Sequence, residues 1–264
     1  AGDAIIGTAA GKAERAALLY AKIIHGLTYE NGTDATNDIN INTGGAMDAT
    51  GARWMGLTTA LGKQSDVVWA VGGTTAVPAG GLDTGVVGDN GYYIWLIQRS
   101  DTGVVDALFS LSSTAPTMPA SYDYKRLIGW FKRVAGTVVA FSLIETEGGG
   151  VEHTWVVPTL DVNLAATLTT AQRADAVKVP LNLSTLAHVA VVAVDAAGWN
   201  IVMGSPSQTL TVGTGSQLVG AAGVTVGGDM WLRTSATGTI AAIGSVATID
   251  TYTVYTMGFR WSRR

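Results

Sequence analysis

Apolar residues along this chain fall mostly into short runs with the two-residue period of β-strands. The longest run, residues 91–99, is apolar on both faces and is followed by a turn sequence at 100–103 and a second apolar run at 104–110. Asp and Gly in the turn, with aromatic and β-branched residues on either side, predict a β-hairpin. Because its first strand has no polar face, we expect both faces to be covered, by a second sheet or by another subunit, in the middle of the fold.

Shorter runs recur along the chain and are separated by Gly, Asn, Asp and Pro. Many short strands at a spacing of about 8 to 12 residues predict a mainly β fold with an antiparallel β-sandwich or jelly-roll-like architecture. The last strand is expected to place Tyr255, Met257, Phe259 and Trp261 on one face. Strands are predicted at 37–42, 54–61, 67–71, 91–99, 104–110, 122–131, 136–144, 155–157, 186–194, 199–203, 208–212, 230–233, 239–243 and 255–261.

Residues 9–24 have the one clear helical pattern and predict a short N-terminal helix, which packs either on its own β-domain or on a neighbouring chain. The sequence does not fix the residue at which this helix ends, because residues 22–30 also fit a strand. Residues 72–90 are predicted to form a long Gly-rich loop, and 164–176 a weak helix or a loop. The positions that recur at steps of three and four residues in the helix are Ala13, Ala16, Ala17, Tyr20 and Ile24.

Three consecutive glycines make residues 145–150 the best candidate for a boundary within the chain. We therefore predict an N-terminal arm and helix at 1–26 and a β-domain at 27–147. A second β half at 148–264 is expected to pack on the first or to continue it as one domain.

Charged side chains are scarce: they make up 14% of the residues, against roughly 25% in typical soluble proteins. A monomer with so few ionised groups cannot cover its whole surface with them, so we expect part of the surface to be hidden in an assembly of identical copies. The alternative is a monomer whose surface consists of Thr, Ser, Gly and Asn.

Composition also excludes several classes of function. With no Cys, the chain has no disulfides, thiolate chemistry or Cys-based zinc sites. A net charge of −4 and the lack of a basic tract argue against a nucleic-acid partner. No apolar run reaches the roughly 18 residues of a membrane helix, and the sequence has no signal-peptide pattern. We expect no membrane insertion.

The three histidines do not form a catalytic or metal-binding pattern. His188 lies in an apolar run and is expected to be a hydrogen-bonded core residue. His25 and His153 lie in polar contexts. No nucleophile elbow, Walker loop or Ser-x-x-Lys pattern occurs, so we predict no catalytic residues and no enzyme activity.

The acidic residues lie mostly in predicted turns, where Asp is common for its local hydrogen bonds. A glycosidase needs two carboxylates held a fixed distance apart across a groove. The candidate pairs are Asp101 with Asp106 and Asp34 with Asp38, and we do not expect either pair to form a carbohydrate-cleaving site. The densest oxygen cluster lacks EF-hand spacing, so a turn and a solvated strand face are favoured over Ca²⁺. We predict no metal and no cofactor. That cluster comprises Asp34, Asn37, Asp38, Asn40 and Asn42.

Two further features have simple explanations. The glycines of 80–85 have no following helix that could hold a phosphate, so they are not expected to bind one. Arg260, Arg263 and Arg264 are expected to lie at a solvated strand end. Aromatic residues exposed in loops would suit stacking against sugars, but the sequence does not say which of the eight Trp and eight Tyr are exposed.

Six motifs in residues 28–144 resemble, in this order, a β-rich module of tailed-bacteriophage virion proteins, usually labelled tail-fibre or phage structural proteins. The second half resembles the module more loosely. The chain departs from it by an insertion at 74–79 and by an N-terminal helix in place of a long upstream shaft. The motifs are NGTDATNDI at 31–39, WAVG at 69–72, GGLDTG at 80–85, IQRSDTGVVD at 97–106, TAPTMP at 114–119 and YDYKRLIG at 122–129.

The resemblance implies a non-enzymatic structural protein located in the virion. The expected form is a homotrimer, attached to other virion proteins by its N-terminal arm, with a β-sandwich body and outward loops. A tail-fibre or receptor-binding (adhesion) role is favoured, with a host-surface glycan as a further candidate partner. The alternatives are a capsid decoration or head-fibre protein and a polysaccharide-degrading tailspike. The resemblance brings no catalytic residues.

Overall fold

The computed structural model describes residues 23–213, 217–246 and 249–263. This part of the chain is mainly β, which confirms the predicted fold class; it contains twenty strands and one 3-10 turn, Glu147–Gly149. The predicted helix lies outside the described residues except for its last two positions, and Ile24 belongs to the first strand. None of the helical structure described is long and apolar enough to cross a membrane.

The chain forms two compact units and passes between them more than once. The first unit holds the described residues up to 139, together with 145–150 and 262–263. The second holds 140–144 and 151–261. Each unit contains two β-sheets, as expected for a sandwich-like fold.

The first unit has a three-stranded and an eight-stranded sheet. The small sheet has the order β1 (Ile24–Gly26), β4 (Gly44–Met47) and β5 (Trp54–Leu57). The large sheet has the order β11 (Thr137–Val138), β10 (Tyr122–Val134), β8 (Gly91–Arg99), β9 (Val105–Ser110), β7 (Ala79–Leu82), β6 (Leu61–Val68), β3 (Asp38–Ile41) and β2 (Tyr29–Asn31).

The predicted central hairpin is confirmed as β8 and β9, which pair antiparallel between β10 and β7. Seven consecutive residues of β8, 92–98, are buried within the single chain. Both faces of β8 are therefore covered without another subunit. Gly103 closes the turn with a positive φ of 75°, and its N–H donates to Arg99 O.

The Gly-rich stretch 72–90 was predicted to be a loop throughout. This is wrong in part, because the stretch contains β7. This strand pairs parallel with β6 and β9. A Cβ on Gly80 would lie 1.9 Å from Val68 O, and one on Gly81 would lie 2.7 Å from the Phe109 ring. These glycines therefore allow a close approach of strands inside the sheet, although the sequence predicted a loop here.

The second unit has a five-stranded and a four-stranded sheet. The five-stranded sheet has the order β12 (Phe141–Thr146), β13 (Gly150–Leu168), β20 (Ile249–Ser262), β15 (Leu186–Val194) and β18 (Val226–Arg233). The four-stranded sheet has the order β14 (Arg173–Ala176), β19 (Thr239–Gly244), β16 (Trp199–Gly204) and β17 (Leu218–Gly220).

Three predictions in this half are wrong. Residues 164–176 belong to β13 and β14 with a short turn between them, and 208–212 form a loop instead of a strand. The last strand has a register shift where it pairs with β15. Because this bulge reverses the alternation of side chains, Tyr255 pairs with a half-buried position of β15 while Phe259 pairs with a buried one.

Candidate self-association surface

β15, the fourth strand of the five-stranded sheet, has one buried face and one outward face. In β15 the side chains alternate strictly between buried and half-buried positions, as the period of a strand requires. The buried positions are Ala187, Val189, Val191 and Ala193. The outward positions carry four apolar side chains and one histidine: Leu186, His188, Ala190, Val192 and Val194.

A line of polar and aromatic contacts crosses the outward face. The His188 ring lies 2.9 Å from Asp229 and stacks on Trp231, with ring centroids 4.5 Å apart and planes at 11°. The guanidinium of Arg260 lies 4.3 Å from the centroid of Trp231, and its Nη2 is 2.7 Å from Glu152 Oε2. The hydrogen bond from His188 lowers the pKa of Asp229. This line joins β13, β20, β15 and β18 and fixes the indole ring.

The end of the five-stranded sheet formed by β12 and β13 has an open apolar edge. β12 has six residues and β13 has nineteen, so β12 lines only part of β13, and no other described strand lies on that side. Val156 N donates a hydrogen bond to Ala140 O, and Ala140 immediately precedes β12. Residues from Val157 onward therefore extend past β12. Pro158 suits an edge, since it has no N–H to donate to a neighbouring strand.

Four large apolar side chains are exposed at this edge. We call them the edge patch: Ile144, Val156, Val157 and Leu160, with 62%, 64%, 70% and 46% of their surface accessible. Fully burying a side chain of this size stabilises by roughly 1.5–3 kcal/mol. Unpaired backbone and apolar side chains on one edge make it suited to contact another chain.

The predictions for two histidines are wrong, and in opposite directions. His188 was expected in the core, but it lies on the outward face. His153 was expected in a polar context, but it is completely buried between Phe141 and Phe259, with ring centroids 4.4 and 4.7 Å away. Burial lowers the pKa of His153 to about 3, so its imidazole is neutral. His25 is exposed in β1.

The candidate acidic pair of the turn does not share one environment. Asp106 is buried, and its Oδ1 lies 2.7 Å from Lys63 Nζ. Asp101 is exposed and binds Arg99 through two hydrogen bonds, which hold the pKa of Asp101 well below its usual range. Each carboxylate is occupied by its own cation.

The oxygen cluster at 34–42 forms the predicted turn. Asp34 Oδ1 accepts a hydrogen bond from Thr36 N at 2.9 Å, which is the main cause of its lowered pKa. The predicted solvated strand face is wrong for Asp38, which is buried, and this burial raises its pKa. Within the described ranges, no three His, Asp or Glu side chains are grouped so that they could hold a metal ion.

The chain terminus also differs from expectation. Arg260 is half-exposed as predicted, but Arg263 is buried, and Arg264 lies outside the described residues. The Arg263 guanidinium donates to the carbonyls of Gly26, Leu27 and Gly149, and it binds Glu145 at 2.9 Å. Arg263 therefore links separate segments inside the first unit by hydrogen bonds. The prediction of a solvated cation at this position is wrong.

Sequence reasoning missed the residues that distinguish the outward face. Trp231 was assigned to a strand, but nothing in its neighbourhood along the chain indicates its contacts with His188 and Arg260, which come from other strands. For the edge patch a local signal was present. The sequence Val156-Val157-Pro158 combines adjacent apolar residues with a proline that only an edge strand tolerates.

No family model matches the chain, and no curated protein matches it in sequence. Among solved structures, it is similar to an exo-β-1,3-galactanase from Phanerochaete chrysosporium with galactose, with a TM-score of 0.19 and 13% identity over 88% of this chain and 57% of that chain. A tryptic core variant of Bacillus thuringiensis Cry1Da has a TM-score of 0.18 and 10% identity, covering 87% and 50%. The chain spans about half of each protein's length, and TM-scores this low carry no argument.

Proposed function

We propose that this chain is a non-enzymatic structural component of a tailed-phage virion, which assembles as a homotrimer and serves as a tail-fibre or adhesion component. The resemblance of residues 28–144 to phage virion modules supports the class. The single observation that carries the assembly is the edge patch, which leaves apolar side chains and strand backbone facing solvent on a chain with only 14% charged residues.

A charge placed in the edge patch tests the assembly. Val157→Lys puts an ammonium group where the interface would bury an apolar side chain, so we expect the oligomer to dissociate at least tenfold more readily. The measurement is the subunit mass as a function of concentration. Val86→Lys is the matched control, because Val86 is 92% exposed and lies outside the patch.

The location of the protein on the virion tests the proposed tail-fibre or adhesion role. Gold-labelled antibody against the chain, applied to purified virions of the phage that encodes it, should label the tail. Labelling of the head would favour capsid decoration, and deletion of residues 1–24 should then abolish head binding. A release of reducing ends from host surface glycan by the purified chain would contradict the non-enzymatic proposal and favour a tailspike.

A further inference from the structure

Trp54 is the one tryptophan of the chain whose side chain is largely open to solvent. All eight tryptophans lie within the described residues, and 48% of the surface of Trp54 is accessible. Five others are buried, and Trp69 and Trp231 are half-buried. The sequence did not say which aromatic residues are exposed, and the structure answers that question for the tryptophans.

The Trp54 ring lies across the surface of the small sheet. Trp54 is the first residue of β5, and Gly45 of β4 is the cross-strand partner of Gly56 of β5. A Cβ on Gly45 would lie 2.2 Å from Cζ2 of the indole and 2.8 and 2.9 Å from the two ring atoms bonded to Cζ2. Because these three distances are so similar, the Cβ position is below the ring and not beyond its rim. One face of the indole therefore rests on glycine backbone, since a Cβ points out of the sheet.

The opposite face of this indole is open. Within the ranges that the structure describes, no aromatic ring and no cation stacks on Trp54. Trp130 and Trp199 also lie on a glycine of a neighbouring strand, but each is only 2% exposed, so both are covered on the second face as well. Trp54 is therefore held in place on one face and accessible on the other, which lowers the entropy cost of binding a ligand there.

A polar side chain lies beside the ring. His25 of β1 is exposed and is the cross-strand partner of Gly45, so it leaves the sheet on the same side as the indole. Cross-strand Cβ positions are roughly 4.5–5.5 Å apart, which places the base of the His25 side chain next to the part of the ring above Gly45. We call Trp54, Gly45, Gly56 and His25 the indole platform. It combines a flat apolar surface with a hydrogen-bonding group at its rim.

Size and charge narrow the class of ligand. A Trp or Tyr side chain buries roughly 150–250 Å² when it is fully covered, so a half-open indole offers about 100 Å². Each partner of a stable protein pair buries about 800 Å², so the platform is far too small to be a protein interface by itself. β1, β4 and β5 contain no Lys or Arg that could pair with phosphate, which argues against a nucleotide. A single ring also cannot enclose a quaternary ammonium group as an aromatic cage does.

A neutral sugar ring fits these limits. A pyranose with equatorial hydroxyls has faces that carry only C–H groups, and its hydroxyls point outward from the ring, where a side chain can bond to them. We propose that the indole platform binds a neutral pyranose of a glycan, with Trp54 as the stacking surface and His25 as the hydrogen-bonding partner of a hydroxyl. The proposal deepens the adhesion role and rests on it only for the source of the glycan.

The test uses the purified full chain labelled with 5-fluorotryptophan, with cellotriose as the probe and sorbitol as its open-chain counterpart. Cellotriose should shift the ¹⁹F resonance of Trp54, which is identified through Trp54→Phe. Sorbitol carries the hydroxyls but has no ring face, so it should leave this resonance in place at the same concentration. The resonances of the five buried tryptophans should not move with either compound.

Four variants assign the roles, with binding measured by saturation-transfer NMR on the sugar. Trp54→Ala should weaken cellotriose binding about tenfold or more, whereas Trp54→Phe keeps a ring and should stay within about threefold of wild type. His25→Ala should weaken binding about threefold. Trp231→Phe is the matched control and should bind as wild type does, because Trp231 lies in the second unit. The ¹⁹F resonances of the other seven tryptophans show that Trp54→Ala is folded.

Three results would overturn the proposal. They are no shift of Trp54 up to about 20 mM cellotriose, an equal shift with sorbitol, or equal cellotriose binding by Trp54→Ala and wild type. A Trp54 resonance that is the same in H₂O and D₂O would also overturn it, because another segment or another copy of the chain would then cover the ring. Unchanged binding by His25→Ala would overturn the role of His25.

The outcome is separable from that of the proposed function. If the chain is a trimer in the virion but cellotriose does not move Trp54, the platform proposal fails while the structural role stands. If the chain is monomeric or absent from the virion yet cellotriose binds at Trp54, the structural role fails while the platform proposal stands.

Discussion

His153 is the buried histidine whose neighbours determine its chemistry. Aromatic rings enclose it, and no positive charge is tolerated there without a large desolvation cost. The folded-state pKa of about 3 lies below the ordinary value of 6.5. The unfolded chain therefore takes up a proton on this residue below pH 6.5, whereas the folded chain does not until about pH 3. Stability is lost as pH falls through that window.

His153→Phe should remove this pH dependence. We expect the free energy of unfolding of the wild type to fall between pH 7 and pH 5 by about 2 kcal/mol more than that of the variant. Denaturant unfolding at both pH values measures the difference. Phe141→Leu is the control: it changes the packing of the same rings but no titratable group, so its cost should be equal at both pH values. Equal pH dependence of wild type and His153→Phe would contradict the assignment.

Lys63 and Asp106 form a fully buried ion pair in the first unit. Lys63 Nζ also donates to Ala70 O at 2.7 Å, and Asp106 accepts from Gly72 N at 2.7 Å. Burial lowers the pKa of Lys63, and the Asp106 carboxylate opposes that change. The pair therefore joins β6 to β9 and fixes the segment after β6.

Lys63→Met should leave a buried carboxylate without its cation and destabilise the fold by about 3–5 kcal/mol. The double variant Lys63→Met/Asp106→Leu should recover part of this loss, because neither charge then remains buried. Arg99→Gln serves as the control: its exposed pair with Asp101 should be worth less than about 1 kcal/mol. Thermal and denaturant unfolding measure all three, and a double variant less stable than Lys63→Met would contradict this explanation.

The burial of individual polar residues could not be predicted from the sequence. Lys63, His153 and Arg263 each have neighbours along the chain that are typical of exposed strand positions. Their burial depends on partners far away in sequence, such as Asp106 for Lys63 and Phe259 for His153. Trp231 was missed for the same reason, since its ring contacts come from two other strands.

Strands were predicted best where the period was long and regular. The alternation at 186–194 and the apolar run at 91–99 correspond to β15 and β8. β7 was missed, because glycine lowers strand propensity although close packing of chains requires it here. The bulge in β20 depends on its pairing with β15, which local sequence does not contain.

Gly80→Ala tests whether β7 needs its glycine. The added Cβ would meet Val68 O, so we expect a loss of about 1–3 kcal/mol in the free energy of unfolding. Gly198→Ala is the matched control, because the nearest atom to its Cβ would be Gly220 O at 3.8 Å. If both variants are equally stable, β7 is not packed as described.

The scarcity of charged residues and the apolar side chains exposed on the described residues both fit the self-association that we propose. The long central strand β8 needs no partner subunit, because the chain itself buries it. The self-association that we propose would instead use the second unit, where the edge patch and the outward face of β15 carry apolar residues. The sequence predicted an assembly from composition alone, but it did not indicate which surface would form it.

Sedimentation equilibrium of the purified chain at micromolar concentration tests self-association most directly. We predict a species of three times the subunit mass of 27.2 kDa, which dissociates when Val157 is replaced by Lys. A single 27.2 kDa species that stays soluble and monodisperse across this concentration range would contradict the account.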